Sequence, residues 1–175
     1  MSHLNTKFHC FYLPGQNIAI DELLALWRGR LSFRQYMPLK SSKFGIKSYE
    51  LCESSSGCLW SFIIYTGKDT VFQTAFISGD TNKTAAIVLS LVEPLLKKGR
   101  TFWMDNSYNS PALAQRLKTL KTDCVGTLLL SRKDFPQRVK EKKLKKGKLI
   151  AQNSGSLSVL KWKDKKEVSM ISNYH

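Results

Sequence analysis

Two aspartates stand where a β-prone apolar run gives way to polar chain. Asp21 follows Asn17–Ile20, and Asp105 follows TFWM, Thr101–Met104. In open α/β sheets, chemistry gathers at the carboxyl ends of strands, where helices begin. Carboxylate oxygens are hard donors that suit Mg²⁺ or Mn²⁺. Two aspartates at two strand ends could share divalent metal, and a metal pair stabilises the attacking and leaving oxygens of a phosphodiester cleavage. A lone aspartate after a strand is common, so the weight rests on both occurring in one strongly basic chain.

The elements around Asp105 are the most sharply written. After the strand and a short loop, Ser110 suits an N-cap and Pro111 the first helical position, with a helix expected to about Leu120. Asn17–Glu22 reads as the first strand. Its neighbours Asp21 and Glu22 must then point to opposite faces, so only one can serve a shared metal site. Gly45–Glu53 and Cys58–Thr66 read as an antiparallel hairpin across Ser54–Gly57. Residues 67–80 read as a loop and 81–98 as a helix, with Pro94 expected to bend it or weaken a turn. A strand is expected over Cys124–Leu130, and a β segment over Leu149–Met170 with turns at Ser154-Gly155 and Asp164-Lys165. Residues 1–15 read as a leading segment without assigned structure. The divisions implied are 1–15, a core over 16–131, and a basic linker with a partial β-rich insertion over 132–175.

With 175 residues and 42% apolar content, the chain has enough material for a core. Its charge is less ordinary: 28 Lys and Arg against 13 Asp and Glu give +15. Such a surplus predicts a polyanionic partner, most often nucleic acid. No long apolar span and no basic amphipathic helix argues for a membrane. Cys10, Cys52, Cys58 and Cys124 form no CxxC pair and read as reduced thiols, with Cys52 and Cys58 packing or pairing across the hairpin. His3, His9 and His175 have no metal-ligand spacing.

Residues 27–47 carry Arg28, Arg30, Arg34, Lys40, Lys43 and Lys47 and no acid, with Trp27, Phe33, Tyr36 and Phe44 interleaved. The cations are expected to contact DNA phosphates. The aromatics could stack on unpaired bases, but core packing is the expectation preferred for them. Arg132–Lys148 holds nine Lys or Arg against Asp134 and Glu141. A solvated linker is the default for such a run, with nuclear import or DNA contact second.

Three antiparallel strands followed by helix and strand is the order of a ribonuclease H-like α/β fold. In that fold, acids on the first and fourth strands hold two divalent ions. The stretches IDELLALWRGRLSFRQYMPLKSSKFGIK, FIIYTG, MDNSYNSPALAQRLK, DCVGTLLLSRKDFP and VLKWKDKKEVSMIS, spread from about Leu13 to His175, closely resemble the PiggyBac transposase family. The resemblance implies that Asp21 and Asp105 are the first two catalytic, metal-binding aspartates, with Mg²⁺ or Mn²⁺ as cofactor. It also implies DNA as partner, a homodimer of the full-length protein, a nuclear location, and cutting and joining of DNA at transposon ends. A non-catalytic DNA-binding derivative is the alternative. The family's third aspartate is expected downstream of the matched VSMISNYH. Two acids alone are expected to bind metal weakly and to support no strand transfer. Asn106 is expected either to orient the site or simply to form a turn.

Overall fold

The computed structural model describes residues 2–79 and 81–174. His175, weighed above as a metal ligand, lies outside the described residues. The chain falls into two compact units, Met1–Pro94 and Leu95–His175.

The first unit contains α1 (Ser2–Phe11), β1 (Asn17–Leu26), β2 (Gln35–Tyr36), β3 (Phe44–Glu53), β4 (Leu59–Ile64) and α2 (Lys83–Val92). β3 pairs antiparallel with β1 from Ile18↔Glu53 to Leu26↔Gly45. It also pairs with β4, with a register shift between Leu51 and Cys52, and with the short β2. Period-2 alternation sends Ile18, Ile20 and Leu24 of β1 into the core beside Leu51, Val88, Leu89, Leu91 and Val92. Each such side chain contributes roughly 1.5–3 kcal/mol when fully buried. Asn82 caps α2 by accepting the Ala85 amide at 2.8 Å. The helix is shorter than the apolar period suggested. It ends at Val92 and tightens into a 3₁₀ turn, Glu93–Leu95, around Pro94, which has no amide to continue the ladder.

The leading segment is helical, which the sequence pattern did not suggest. α1 is tied to β4 by distant contacts: the Asn5 amide nitrogen donates to Phe62 O at 2.9 Å, and Asn5 Oδ1 accepts from Phe62 N at 3.1 Å. His9 stacks on Trp60 with centroids 3.8 Å apart, and burial lowers the His9 pKa. Glu53 then fixes the exit from the helix. Its carboxylate accepts from Tyr12 OH at 2.5 Å, Gly15 N at 2.6 Å and Ser56 Oγ at 2.5 Å. Hydrogen bonds to the charged form, Ser56 first and then Tyr12 and Gly15, push its pKa from 4.5 down to about 2. The native state therefore releases this proton more readily than the unfolded chain does. The stabilisation is complete above pH 4.5 and is lost as pH falls towards about 2. Glu53→Gln is expected to show a lower thermal midpoint than the parent near neutrality, with the difference narrowing as the pH is taken down through that window. A midpoint gap independent of pH would refute the charged latch.

The second unit contains β5 (Thr101–Met104), α3 (Pro111–Thr119), β6 (Asp123–Thr127), α4 (Gln137–Glu141), β7 (Leu149–Ser154), β8 (Leu157–Lys163) and β9 (Glu167–Ser172). β5 and β6 are parallel, joined through α3. β9 pairs antiparallel with β6, β8 with β9 and β7 with β8, giving a mixed sheet. Phe102, Leu113, Ala114, Leu117, Cys124, Val159 and Ile171 form its buried interior. Burial pushes the Cys124 thiol up to about 12, so it is chemically quiet. Asn173 locks β9 against its neighbours, accepting from Cys124 N at 2.5 Å and donating to Ala114 O at 2.8 Å.

The basic run 132–148 is anchored: Phe135, Val139 and Leu144 are buried. Lys161 of β8, 1% exposed, donates to Lys140 O at 3.0 Å and Lys142 O at 2.6 Å. It thereby satisfies carbonyls left open at the end of α4. All four cysteines are free thiols, so Cys52 and Cys58 are not paired. Among the described residues, no helix is long and apolar enough to cross a membrane.

Candidate metal and nucleic-acid site

Asp21 belongs to the first unit and Asp105 to the second. Asp21 is not at a strand end as its local sequence implied: β1 runs on to Leu26, because β3 offers partners as far as Gly45. It is exposed, and its Oδ1 accepts the Glu22 amide at 2.7 Å. Glu22 points to the other face, where it pairs with Lys40 at 3.3 Å. That leaves Asp21 as the acid of the pair available to a metal.

Sequence reasoning missed the neighbour of Asp21. Glu50 is its direct cross-strand partner on β3, and Glu50 Oε1 accepts from Ser48 Oγ at 2.7 Å. Two carboxylates directly opposite each other repel. The signal was the register, which local sequence does not carry.

Asp105 stands just beyond β5, exposed, and holds the turn that follows it. Its Oδ1 accepts from Ser107 N at 2.8 Å and its Oδ2 from Ser107 Oγ at 3.1 Å, an Asx turn. Tyr108 N and Asn109 N donate to its backbone carbonyl. The turn is clamped from outside by Arg132, whose guanidinium donates to Asn106 O at 2.9 Å and Ser107 O at 2.6 Å. Asn109, 1% exposed, donates to Met104 O at 2.9 Å and Thr127 O at 3.0 Å. Ser110 then caps α3 by accepting from Leu113 N, with Pro111 at its start, as the sequence indicated. At Asn106 it is the backbone carbonyl that is engaged, by Arg132, in a turn that lines a hollow with Thr127–Ser131 and Glu167–Ser169. Arg132 and Asn109 were not singled out from sequence; one sits in a charge run and the other reads as a loop residue.

Each aspartate presents hard oxygen donors at an exposed position, the right chemistry for Mg²⁺ or Mn²⁺. Among the described residues, no group of three or more His, Cys, Asp or Glu is arranged to hold a metal.

The six cations of the 27–47 segment separate into two sets. Lys40 is paired with Glu22. Arg34 lies over the Phe44 ring at 5.2 Å and donates to Arg28 O at 3.3 Å. Lys47 lies over the Tyr49 ring at 4.9 Å. Arg28, Arg30 and Lys43 are exposed. Trp27, Tyr36 and Phe44 are 46%, 58% and 45% exposed, so the expectation that these aromatics belong to the core does not hold.

The mixed α/β fold is that of a DDE-type transposase domain. The chain belongs to the transposase family described as Transposase IS4, whose profile matches residues 1–175. Its structure is of the PiggyBac type: a piggyBac transposase, solved by cryo-electron microscopy as a synaptic complex with hairpin DNA, matches 99% of this chain with a TM-score of 0.86 at 27% identity. The chain spans 36% of that transposase chain. A second similar structure, endonuclease V from Bacillus subtilis, covers 89% of this chain and 63% of its own, with a TM-score of 0.33 at 9% identity.

Proposed function

We propose that the chain contributes two of the metal-binding carboxylates, Asp21 and Asp105, and part of the DNA-binding surface of a transposase that cuts DNA and joins the freed 3′ end to a new site. The observation carrying this is the likeness of 99% of this chain to part of a transposase captured on DNA. Asp21 and Asp105 would hold Mg²⁺ or Mn²⁺, which supplies charge stabilisation at the attacking and leaving oxygens. The protein's own part is to fix the carboxylates: β3 sets the orientation of Asp21, and the Ser107 turn with Arg132 sets that of Asp105. Arg28, Arg30, Arg34, Lys40, Lys43 and Lys47 would face the phosphate backbone, with Arg28, Arg30 and Lys43 carrying most of the contact, since the other three have partners within the protein. A homodimer of the complete protein and a nuclear location complete the proposal, the latter supported by the lysine-rich run 132–148.

The test is DNA affinity against salt concentration. Each cation that neutralises a phosphate contributes about 0.9 to the slope of log K against log salt on duplex DNA. Replacing Arg28, Arg30 and Lys43 together by glutamine is therefore expected to flatten the slope by about 2 to 3 and to weaken binding to all sequences alike. An unchanged slope would remove this segment from the DNA interface, and a parent chain without salt-dependent binding would remove DNA as the partner.

A further inference from the structure

The exposed aromatics of the 27–47 segment form a small built surface. Tyr36 and Phe44 are direct cross-strand partners, with ring centroids 4.7 Å apart. The Arg34 guanidinium lies 5.2 Å from the Phe44 centroid. The Trp27 amide donates to Phe44 O at 3.4 Å, which holds a third exposed aromatic residue beside the pair. The Tyr36 and Phe44 rings and the Arg34 guanidinium are thus set against one another although much of their surface faces water.

The setting indicates what could cover these rings. The segment has six cations and no acid, so a polyanion complements it and a basic protein surface does not. In a duplex, the base faces are already stacked on one another and only the phosphate edge is offered. Aromatic rings beside cations match a nucleotide whose base is out of the stack: the ring takes the base face and the cations take the backbone. An arginine plane over one ring extends the stack and keeps it positively charged.

We propose that Tyr36 and Phe44, with Arg34, are a stacking platform for an unpaired nucleotide of DNA. This rests on the DNA reading above and adds to it a preference for single-stranded over paired substrate.

The test compares a blunt duplex with the same duplex carrying a short single-stranded tail that contains 2-aminopurine, bound to the 175-residue chain. The parent is expected to bind the tailed DNA more tightly and to quench the 2-aminopurine. Tyr36→Leu and Phe44→Leu each keep an apolar side chain and remove the aromatic face. Each is expected to lower affinity for the tailed DNA by between about fivefold and about a hundredfold, to lose the quench, and to leave blunt-duplex affinity unchanged. Tyr36→Phe, which retains a ring, should behave as the parent does. Circular dichroism and thermal midpoints of the variants check that β2 and β3 still form.

Tailed and blunt DNA bound equally, or a preference unaffected by both leucine variants, would overturn the proposal while leaving DNA binding intact. Failure to bind either DNA would overturn the DNA reading and the platform with it. Equal DNA binding together with capture of an acidic peptide, lost in both leucine variants, would make the surface a protein-docking site and also overturn the proposal.

Discussion

Asp21→Asn is expected to abolish metal-dependent DNA cleavage while leaving the fold as stable as before, or more stable. Asp105→Asn is expected to abolish cleavage equally. The measurement is nicking of a DNA substrate with Mg²⁺ or Mn²⁺, made in a transposase that carries its complete set of acids. A metal clamp supplies several kcal/mol of transition-state stabilisation, and each 1.36 kcal/mol is tenfold in rate, so losing one ligand should cost about a thousandfold or more. The structural cost is small. At Asp21 the carboxylate accepts the Glu22 amide, a bond that an amide oxygen can accept as well. The same change removes one of two facing negative charges, because Glu50 lies directly across the ladder, and such pairs are unfavourable. Asp21→Asn should therefore hold or raise the thermal midpoint. At Asp105 the amide can keep the Ser107 N contact through its oxygen and loses only the second acceptor for Ser107 Oγ, a change of about 1 kcal/mol or less. Cleavage that survived both substitutions would end the two-carboxylate reading. Loss of cleavage accompanied by unfolding would show that the acids are structural.

What could be read beforehand followed from how local the signals are. β5 and the start of α3 were legible in full, since a short β-branched and aromatic run, a serine cap and a proline act within a few residues. The hairpin turns of the C-terminal strands were legible for the same reason. The length of β1 was not, because Glu22–Leu26 is held in the strand by β3 rather than by its own propensity. The helical state of α1 depends on Asn5, Phe8 and His9 finding Phe62 and Trp60, more than fifty residues away in the case of Asn5. In the run 132–148, charge density concealed three apolar anchors, Phe135, Val139 and Leu144, spaced four and five residues apart.

The site shows the same division. Asp21 and Asp105 are proposed from sequence; the residues that hold them in place come into view only with the structure. Arg132 looked like one cation among nine, Asn109 like a loop residue, and Glu50 like an ordinary strand acid. Each acquires its part only from the partner that folding supplies. The aromatics near Arg34 were assigned to the core because aromatic residues usually bury. That expectation fails at Trp27, Tyr36 and Phe44, which stand exposed.

The support of Asp105 leads to the largest stability effect expected in the molecule. Gly126 lies on β6 directly opposite Met104, the residue before Asp105. A Cβ built at Gly126 would sit 1.8 Å from Met104 O and 2.6 Å from Asn109 Nδ2. No heavy atoms approach that closely, and neither neighbour can yield. Met104 O belongs to the strand, and the Asn109 amide is bonded to that carbonyl and to Thr127 O. Gly126→Val should therefore separate β5 from β6 or displace Asn109, leaving buried polar groups without partners. The expected cost is more than about 4 kcal/mol, at the extreme of single substitutions, and a large fraction of the roughly 5–15 kcal/mol that holds an ordinary domain folded. Asn109→Ala removes the side chain but not the strand contact, so the Gly126→Ala, Asn109→Ala double variant should remain strongly destabilised, because Met104 O still blocks the added methyl. A urea titration of the two Gly126 variants against the parent measures the effect. If Gly126→Val unfolded within about 1 kcal/mol of the parent, the close approach of β5 and β6 could not be what holds Asp105 at the end of its strand.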